Sequence, residues 1–408
     1  MQKKVDMTAG CLRRFPFPFN AMMAICSDLD ETPDKAAYLE TMKFLNTTGM
    51  TSLGVGVGLE VGNTIYFDMP PKQFSYWNTD ESGRNMIRTL IRSGHIDCLH
   101  SYGDYATTRM HAAKALEELS MYNCKLEVWV DHGIAPSNFG GDIMKGEGDI
   151  IGSEVYHADI TCDYGIRYVW RGRVTSIIGQ DTSKSYQGIW NHRHPFHSAK
   201  TISKEFIKGF LANFEDSRYS MHGHNKILRK TRLRSGHEVF EFIRANPHWG
   251  GVSSRATSDG LAEVLSDTFF DTLLRREGSS ILYTHLGKLK KGCLPFSPAA
   301  IKALGRLASY FHSGMILTTT TNRLLRYCNA LEYNKFSVSQ TSDVTDIDIS
   351  FTNSITDLSG LTFYVANPER VRLIINGRIS TEYKCNSADN TGRKSISIPW
   401  MPLSFPGF

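Results

Sequence analysis

Three short segments of the sequence place acids and histidines directly after apolar runs. Asp28 and Asp30 follow the first run, so two carboxylates stand two residues apart. His100 and Asp104 follow the second, and their spacing lets an imidazole and a carboxylate reach one divalent cation across a turn. His285 ends the third run and comes shortly before a glycine. These residue types suit metal binding and proton transfer.

Each segment also has a purely structural explanation. Asp28 and Asp30 favour the N-terminus of a following helix, where negative charge is stabilised. His100 and Asp104 could be a turn histidine with a capping aspartate, and a lone histidine at the end of a strand is commonly structural. The segments therefore indicate a functional site only if they meet in space.

The sequence pattern around the three segments predicts that they meet in space. Up to about residue 330, short apolar runs alternate with helical patterns, which is typical of β-α units around a parallel sheet or barrel. A buried strand is predicted over 19–27, followed by a helix with Thr32 as its cap and Pro33 as its first residue. Carboxyl ends of parallel strands lie at the same edge, so the three segments would converge on one face.

Further elements follow the same pattern. Helices are predicted over 107–121, 298–311 and 321–329, and a strand is predicted over 315–319. The stretch 133–225 is rich in glycine, histidine and aromatic residues with poor periodicity, so it is predicted to form long loops over one barrel face.

The last 78 residues have a different pattern. Beyond residue 330, apolar and polar residues alternate between turn residues, and Asn376-Gly377 is a strong signal for a two-residue hairpin. We therefore predict a catalytic (β/α) barrel over 1–330 and a small antiparallel β accessory domain over 331–408.

Composition excludes several classes of protein. The chain has 408 residues, 41% of them hydrophobic, and Lys and Arg exceed Asp and Glu by only 46 − 41 = 5, which gives no nucleic-acid footprint. No apolar stretch suits a membrane span or a signal peptide. The eight cysteines form no CxxC pair, which favours a reducing compartment. A cytoplasmic protein with no membrane span is expected, and the oligomeric state stays open.

Together the three segments resemble the motifs of the polysaccharide deacetylase family, also called the NodB-homology family or carbohydrate esterase family 4. The family opens with an acid pair at the end of the first strand, as at Asp28 and Asp30. Its second motif is His-Ser/Thr-x-x-His, similar to the segment from His100 to Asp104, and its last is an apolar strand ending Leu-x-His, similar to Leu282-Tyr283-Thr284-His285. The resemblance spans roughly residues 19–329.

This resemblance implies a distorted (β/α) barrel that removes acyl groups from sugars with one divalent metal, expected to be Zn²⁺, other divalent cations staying open. Asp30, His100 and Asp104 would hold the metal. Asp28 would be the catalytic base, and His285 would be the acid that protonates the leaving group. The implied partner is an acylated carbohydrate in a polysaccharide, glycan or glycan precursor, and the implied reaction is N-deacetylation.

The chain departs from the family in two places. Asp104 stands where the family has its second metal histidine, a change that a hard or borderline cation tolerates. The family's arginine and proline after the next strand are missing, and Asp131 and His132 stand there instead. Either residue could enter the site, or His132 could be a turn histidine. The arginine that orients the base would come from elsewhere, with Arg171 beside Trp170 as a candidate.

Two other functions stay open. One is a glycoside hydrolase that uses two of Asp28, Asp30 and Asp131 as acid and base. The other is a catalytically inactive carbohydrate-binding protein whose β domain does the binding. Metal removal distinguishes the glycoside hydrolase from the deacylase, because the hydrolase mechanism needs no cation. The binding protein would bind glycan without turnover.

Overall fold

The computed structural model describes residues 5–6, 11–28, 32–214, 218–287, 296–340, 344–351 and 357–408. Asp30, a predicted metal ligand, lies outside these ranges. The helices are α1 (Lys35–Asn46), α2 (Glu81–Arg92), α3 (Arg109–Met121), α4 (Ala158–Tyr164), α5 (Pro195–Leu211), α6 (Leu261–Val264), α7 (Asp267–Arg276), α8 (Pro298–His312) and α9 (Thr321–Tyr333), with 3-10 turns at Ser220–His222 and Pro368–Arg370. The strands are β1 (Val5–Asp6), β2 (Leu12–Arg13), β3 (Ala21–Ser27), β4 (Met50–Thr51), β5 (Gly54–Val55), β6 (Asn63–Ile65), β7 (Ile96–His100), β8 (Val128–Val130), β9 (Tyr168–Trp170), β10 (Val174–Thr175), β11 (Leu228–Arg232), β12 (Glu238–Phe242), β13 (Arg244–Ala245), β14 (Ser279–Thr284), β15 (Ile316–Thr319), β16 (Lys335–Gln340), β17 (Thr345–Ser350), β18 (Thr362–Tyr364), β19 (Val371–Ile375), β20 (Arg378–Ser380), β21 (Lys384–Asn386) and β22 (Ser395–Ser397).

Two sheets of mainly parallel strands form the body of the molecule. One has the order β10-β13-β14-β3-β15 and is parallel throughout. The other has the order β11-β12-β9-β8-β7-β6 and is parallel except between β11 and β12. Only Ile243 separates β12 from β13, so one stretch of chain passes from the second sheet into the first.

The predicted mixed α/β class with parallel strands is confirmed. A barrel of the deacetylase type is not confirmed, because the parallel strands of the body form two separate hydrogen-bonded sheets. All seven residues of β3 are buried, as expected for a parallel strand covered on both faces. Because the strand itself is buried and mostly apolar, the first polar residues with a possible function come just after its C-terminal end.

Local capping explains where the helices begin. Ser297 accepts a hydrogen bond from the Ala300 amide and Pro298 is the first residue of α8, as predicted. The cap of α1 is Asp34, whose side chain accepts from two backbone amides, and the prediction of Thr32 was wrong. A carboxylate also complements the positive end of the helix dipole at that position.

The prediction of long loops over 133–225 was wrong in part. This stretch contains α4, β9, β10 and the 17-residue helix α5. The residues of α5 that are buried are Ser198, Thr201 and Glu205, so the helix turns its polar side inward. A search for an apolar buried stripe therefore misses it. No helix among the described residues is long and apolar enough to cross a bilayer.

The β region contains two sheets. Their orders are β1-β16-β17-β19-β20 and β2-β18-β22-β21. The hairpin at Asn376-Gly377 is confirmed, since both residues have positive φ angles (46° and 76°) between paired β19 and β20. The expectation of an entirely antiparallel domain was wrong, because β17 and β19 pair in parallel.

Both ends of the described chain contribute to the contact between the β region and the body. β1 pairs with β16 and β2 pairs with β18, so N-terminal strands complete the sheets of residues 335–397. Near the C-terminus, the Leu403 amide donates to Glu60 (2.9 Å), and the Arg323 guanidinium lies 4.0 Å from the ring centre of Trp400. One apolar core contains side chains of both parts, including Met22 and Phe363.

Candidate active site

Asp28, His100 and His285 come together at the carboxyl ends of three parallel strands. Asp28 follows β3, His100 is the last residue of β7, and His285 follows β14. His100 Nδ1 lies 3.9 Å from Asp28 Oδ1, and His285 Nε2 lies 4.0 Å from Asp28 Oδ2. One imidazole therefore stands beside each oxygen of a single buried carboxylate.

Arg244 holds this carboxylate from a fourth strand, β13. Its Nη1 donates to Asp28 Oδ1 (2.6 Å) and its Nη2 to Asp28 Oδ2 (3.0 Å). The Arg244 side chain is fully buried, and its guanidinium carbon lies 3.4 Å from the ring centre of Trp170 and 4.4 Å from that of Tyr283. The Asp28 carboxylate beside it raises the pKa of Arg244 against the opposing effect of burial. A charged guanidinium between two aromatic faces is a rigid clamp.

Arg244 replaces Arg171 as the arginine of the site. Arg171 instead forms a buried pair with Glu241, with contacts of 3.1 and 2.8 Å. Sequence reasoning missed Arg244, although an arginine within the mostly apolar stretch 239–245 was an available signal, since buried arginines are almost always paired.

Backbone contacts fix Asp28 and His285 relative to each other. The Asp28 amide donates to the Thr284 carbonyl, and the Leu286 amide donates to the Ser27 hydroxyl, both at 2.9 Å. The ends of β3 and β14 are thus joined just beyond their parallel ladder.

The hydrogen bond of His285 determines which ring nitrogen can exchange a proton. Nδ1 lies 2.7 Å from the Ala256 carbonyl oxygen, which can only accept, so Nδ1 carries a hydrogen. Nε2 is therefore the nitrogen that gains or loses a proton, and it faces Asp28 Oδ2 and the Tyr283 hydroxyl (3.5 Å).

Asp104 and His132 form a pair at the outer side of the cluster. His132 Nδ1 lies 2.8 Å from Asp104 Oδ1, so Nδ1 donates and the ring's lone pair lies on Nε2. The His132 and His100 rings are 4.8 Å apart, and both pack on Tyr66. His132 therefore belongs to the cluster, whereas Asp104 reaches it through His132.

Asp131 lies next to this pair but has a different environment. It accepts hydrogen bonds from Trp129 Nε1 (2.7 Å) and from the amides of Phe139 (2.9 Å) and Gly140 (2.8 Å). Burial raises its pKa to about 6. These partners tie down the loop after β8, so Asp131 is placed as a structural residue.

A cavity of about 420 Å³ opens beside the cluster. Its lining includes the functional candidates Tyr283 and His285, and Arg255 and Thr257 add polar groups. The cavity is large enough for a sugar unit, and His285 is on its wall.

The predicted metal is tested by the donors that the structure brings together. Within the described ranges, no group of three or more His, Cys, Asp or Glu side chains is arranged to hold a metal. His100 and His132 nevertheless supply adjacent imidazoles, and a carboxylate that accepts from the far nitrogen is typical of metal-binding histidines. Asp30, the remaining predicted ligand, lies outside the described residues. The described residues thus supply two neighbouring nitrogen donors, short of the three protein ligands of a catalytic zinc site.

Comparison with known proteins leaves the chain without a family. No protein-family model matches it, and no curated protein matches it. Solved structures similar to it include the endo-beta1,6-glucanase BT3312, at 8% sequence identity and a TM-score of 0.35, over 95% of this chain and 91% of that chain. At that TM-score the likeness supports no conclusion about fold or activity.

Proposed function

We propose that the protein is a hydrolase that removes an acyl group, preferentially an N-acetyl group, from an acylated sugar. The observation that supports this most is the Asp28 cluster, in which a buried arginine fixes one carboxylate and a histidine nitrogen stands about 4 Å from each of its oxygens. Hydrolysis of an acyl group needs one base for water and one acid for the leaving group, and Asp28 and His285 supply them.

In this mechanism Asp28 takes a proton from water, and the resulting hydroxide adds to the acyl carbonyl carbon. Arg244 keeps the carboxylate in position and balances its charge. The tetrahedral intermediate then expels the amine or alcohol, which receives the Nε2 proton of His285 in its doubly protonated, imidazolium form. The hydrogen bond from Nδ1 to Ala256 keeps that nitrogen directed at the site.

A divalent cation, when bound, would polarise the carbonyl and lower the pKa of water. We assign His100 and His132 as its nitrogen ligands, with Asp30 as the carboxylate ligand. Asp104 then orients His132 and is not itself a ligand, which changes the role that the sequence indicated for it.

An acetate-release assay across N- and O-acetylated sugars tests this function. Acetate release that is lost on chelation and restored by Zn²⁺ is the expected result. Full activity in metal-free protein would contradict the metal assignment, and the absence of acetate release from every acylated sugar would contradict the deacylase.

A glycoside hydrolase is the second candidate. Asp104, with 40% of its side chain exposed, provides a second carboxylate at the strand edge that holds Asp28, and such enzymes need two. The pair of Asp28 with Asp131 is less suitable, because Asp131 is bonded to backbone amides. Release of reducing sugar that is insensitive to chelation, with no release of acetate, would favour this candidate.

A further inference from the structure

Helix α5 has an unusual orientation on the body of the protein. Its inward side makes polar contacts: Thr201 Oγ1 donates to the Trp249 carbonyl (2.7 Å), and Glu205 accepts from Thr175 (2.7 Å) and from Lys208 (2.7 Å). Surface helices normally bury an apolar stripe and expose their polar face. α5 does the opposite.

The exposed side of α5 and of the turn after it is aromatic. Phe206, Ile207, Phe210 and Phe214 are 61, 54, 55 and 63% exposed, and Phe196 at the start of the helix is 89% exposed. Phe206 and Phe210 are one helical turn apart and so share a face, and the rings of Phe210 and Phe214 are 5.1 Å apart. Exposed apolar patches of this kind mark interaction sites.

Positive charge borders this aromatic surface. Within α5, three lysines stand against one acid, Glu205, which is buried. Two further acids, Glu215 and Asp216, follow Phe214 in the sequence. Lys200 and Lys204 are exposed and one turn apart. A second copy of the same surface would bring like charges together, which disfavours a dimer through this face. The lysines favour a negatively charged partner, and the phenylalanines favour one with an apolar layer beneath the charge.

We propose that α5 and the turn after it bind the surface of an anionic phospholipid membrane. The phenylalanines would enter the boundary between headgroups and acyl chains, while Lys200 and Lys204 would lie among the phosphates. The helix would lie in the plane of the membrane.

A cavity beside this surface adjoins the cavity next to the candidate active site. Lys204 and Ile207 line a cavity of about 400 Å³ that shares Val174 and Val252 with the cavity beside His285. This step rests on the proposed function: the acylated substrate would be a glycan presented at a membrane surface.

Co-sedimentation with vesicles tests the membrane surface without any substrate, so its result does not depend on the proposed activity. The probes are vesicles of phosphatidylcholine alone and of phosphatidylcholine with phosphatidylglycerol. Wild type should bind the anionic vesicles and lose binding at high salt. Phe206→Ser with Phe210→Ser should weaken binding at least about tenfold, and Lys200→Glu about fivefold.

Matched controls lie on other helices. Met110→Ser with Met121→Ser removes two exposed apolar side chains of α3, and Lys302→Glu reverses an exposed charge of α8. Both should bind as wild type does. The proposal is overturned if wild type ignores anionic vesicles, if the phenylalanine and methionine variants bind equally, or if α5 mediates a dimer that excludes lipid.

Activity then separates the two proposals. The Phe206/Phe210 variant should retain acetate release from a soluble substrate and lose it from a vesicle-borne one. Vesicle binding without any acetate release would support the membrane-binding proposal and contradict the proposed function.

Discussion

Asp28 and Asp131 are both buried aspartates at the ends of parallel strands, yet their partners differ. Asp28 is held by the side chain of Arg244 and faces His100 and His285 beside a cavity. Asp131 is held by two backbone amides and Trp129. Backbone donors fasten a carboxylate to its own loop, whereas Arg244 holds Asp28 beside two imidazoles, one of which, His285, lines the cavity. The difference supports the proposed role of Asp28 as a base and indicates that Asp131 stabilises its loop.

The largest expected effect is on turnover. Asp28→Asn removes the base and should lower kcat by about 10²- to 10⁴-fold. Asp131→Asn is the matched control and should keep kcat within a few-fold of wild type. Steady-state kinetics on an acylated sugar measures both, and equal losses in the two variants would erase the distinction between the aspartates.

The two buried arginines extend the comparison to stability. Arg244→Leu leaves Asp28 as an uncompensated buried charge and should lower the free energy of unfolding by about 3–5 kcal/mol. Arg171→Leu should cost less, because Arg173 Nε remains 3.4 Å from Glu241. Denaturant unfolding measures the free energy of unfolding of both variants. A greater loss of free energy in Arg171→Leu would show that the Arg244–Asp28 pair stabilises the protein less than the Arg171–Glu241 pair.

The raised pKa of Asp131 predicts a pH dependence of stability. Burial favours the protonated form, so the stabilising contribution of Asp131 is fully present below about pH 4 and is lost as the pH rises through about 6. It amounts to about 3 kcal/mol at most. Unfolding free energies from pH 4 to 7 should therefore fall less steeply in Asp131→Asn than in wild type.

Asp142 provides a control of opposite sign. The ion pair with Arg173 lowers the pKa of Asp142 against the effect of burial, so its contribution is present above its ordinary pKa and is lost on acidification. Asp142→Asn should remove stability at neutral pH. If Asp131→Asn behaves in the same way, burial is not what controls the protonation of Asp131.

The smallest effect concerns the outer residue of the histidine pair. Asp104→Asn should lower metal affinity or activity by about 10- to 100-fold, the usual effect of losing a carboxylate behind a histidine ligand. His132→Ala should have the larger effect, because it removes the ligand itself. Metal content of the two purified variants measures this, and a greater loss with Asp104→Asn would return Asp104 to the ligand position that the sequence indicated.

The sequence was sufficient to bring Asp28, His100 and His285 together, because apolar runs identify strands and parallel strands end at the same edge. Arg244 could not be assigned to Asp28, since a pairing across 216 residues depends on how strands are ordered in the sheet. The roles of Asp131 and His132 depended on loop conformation, which local pattern does not determine. Helix α5 was missed because it buries its polar residues.

The pairing of β1 with β16 and of β2 with β18 has a consequence for the order of assembly. Residues near the start of the chain cannot find their sheet partners until more than 330 further residues have left the ribosome. The two parallel sheets can form earlier, because their strands are complete by residue 319. The β region should therefore mature later than the two parallel sheets, as contacts between distant chain segments form slowly. Until residues 335–364 have been synthesised, β1 and β2 lack their sheet partners.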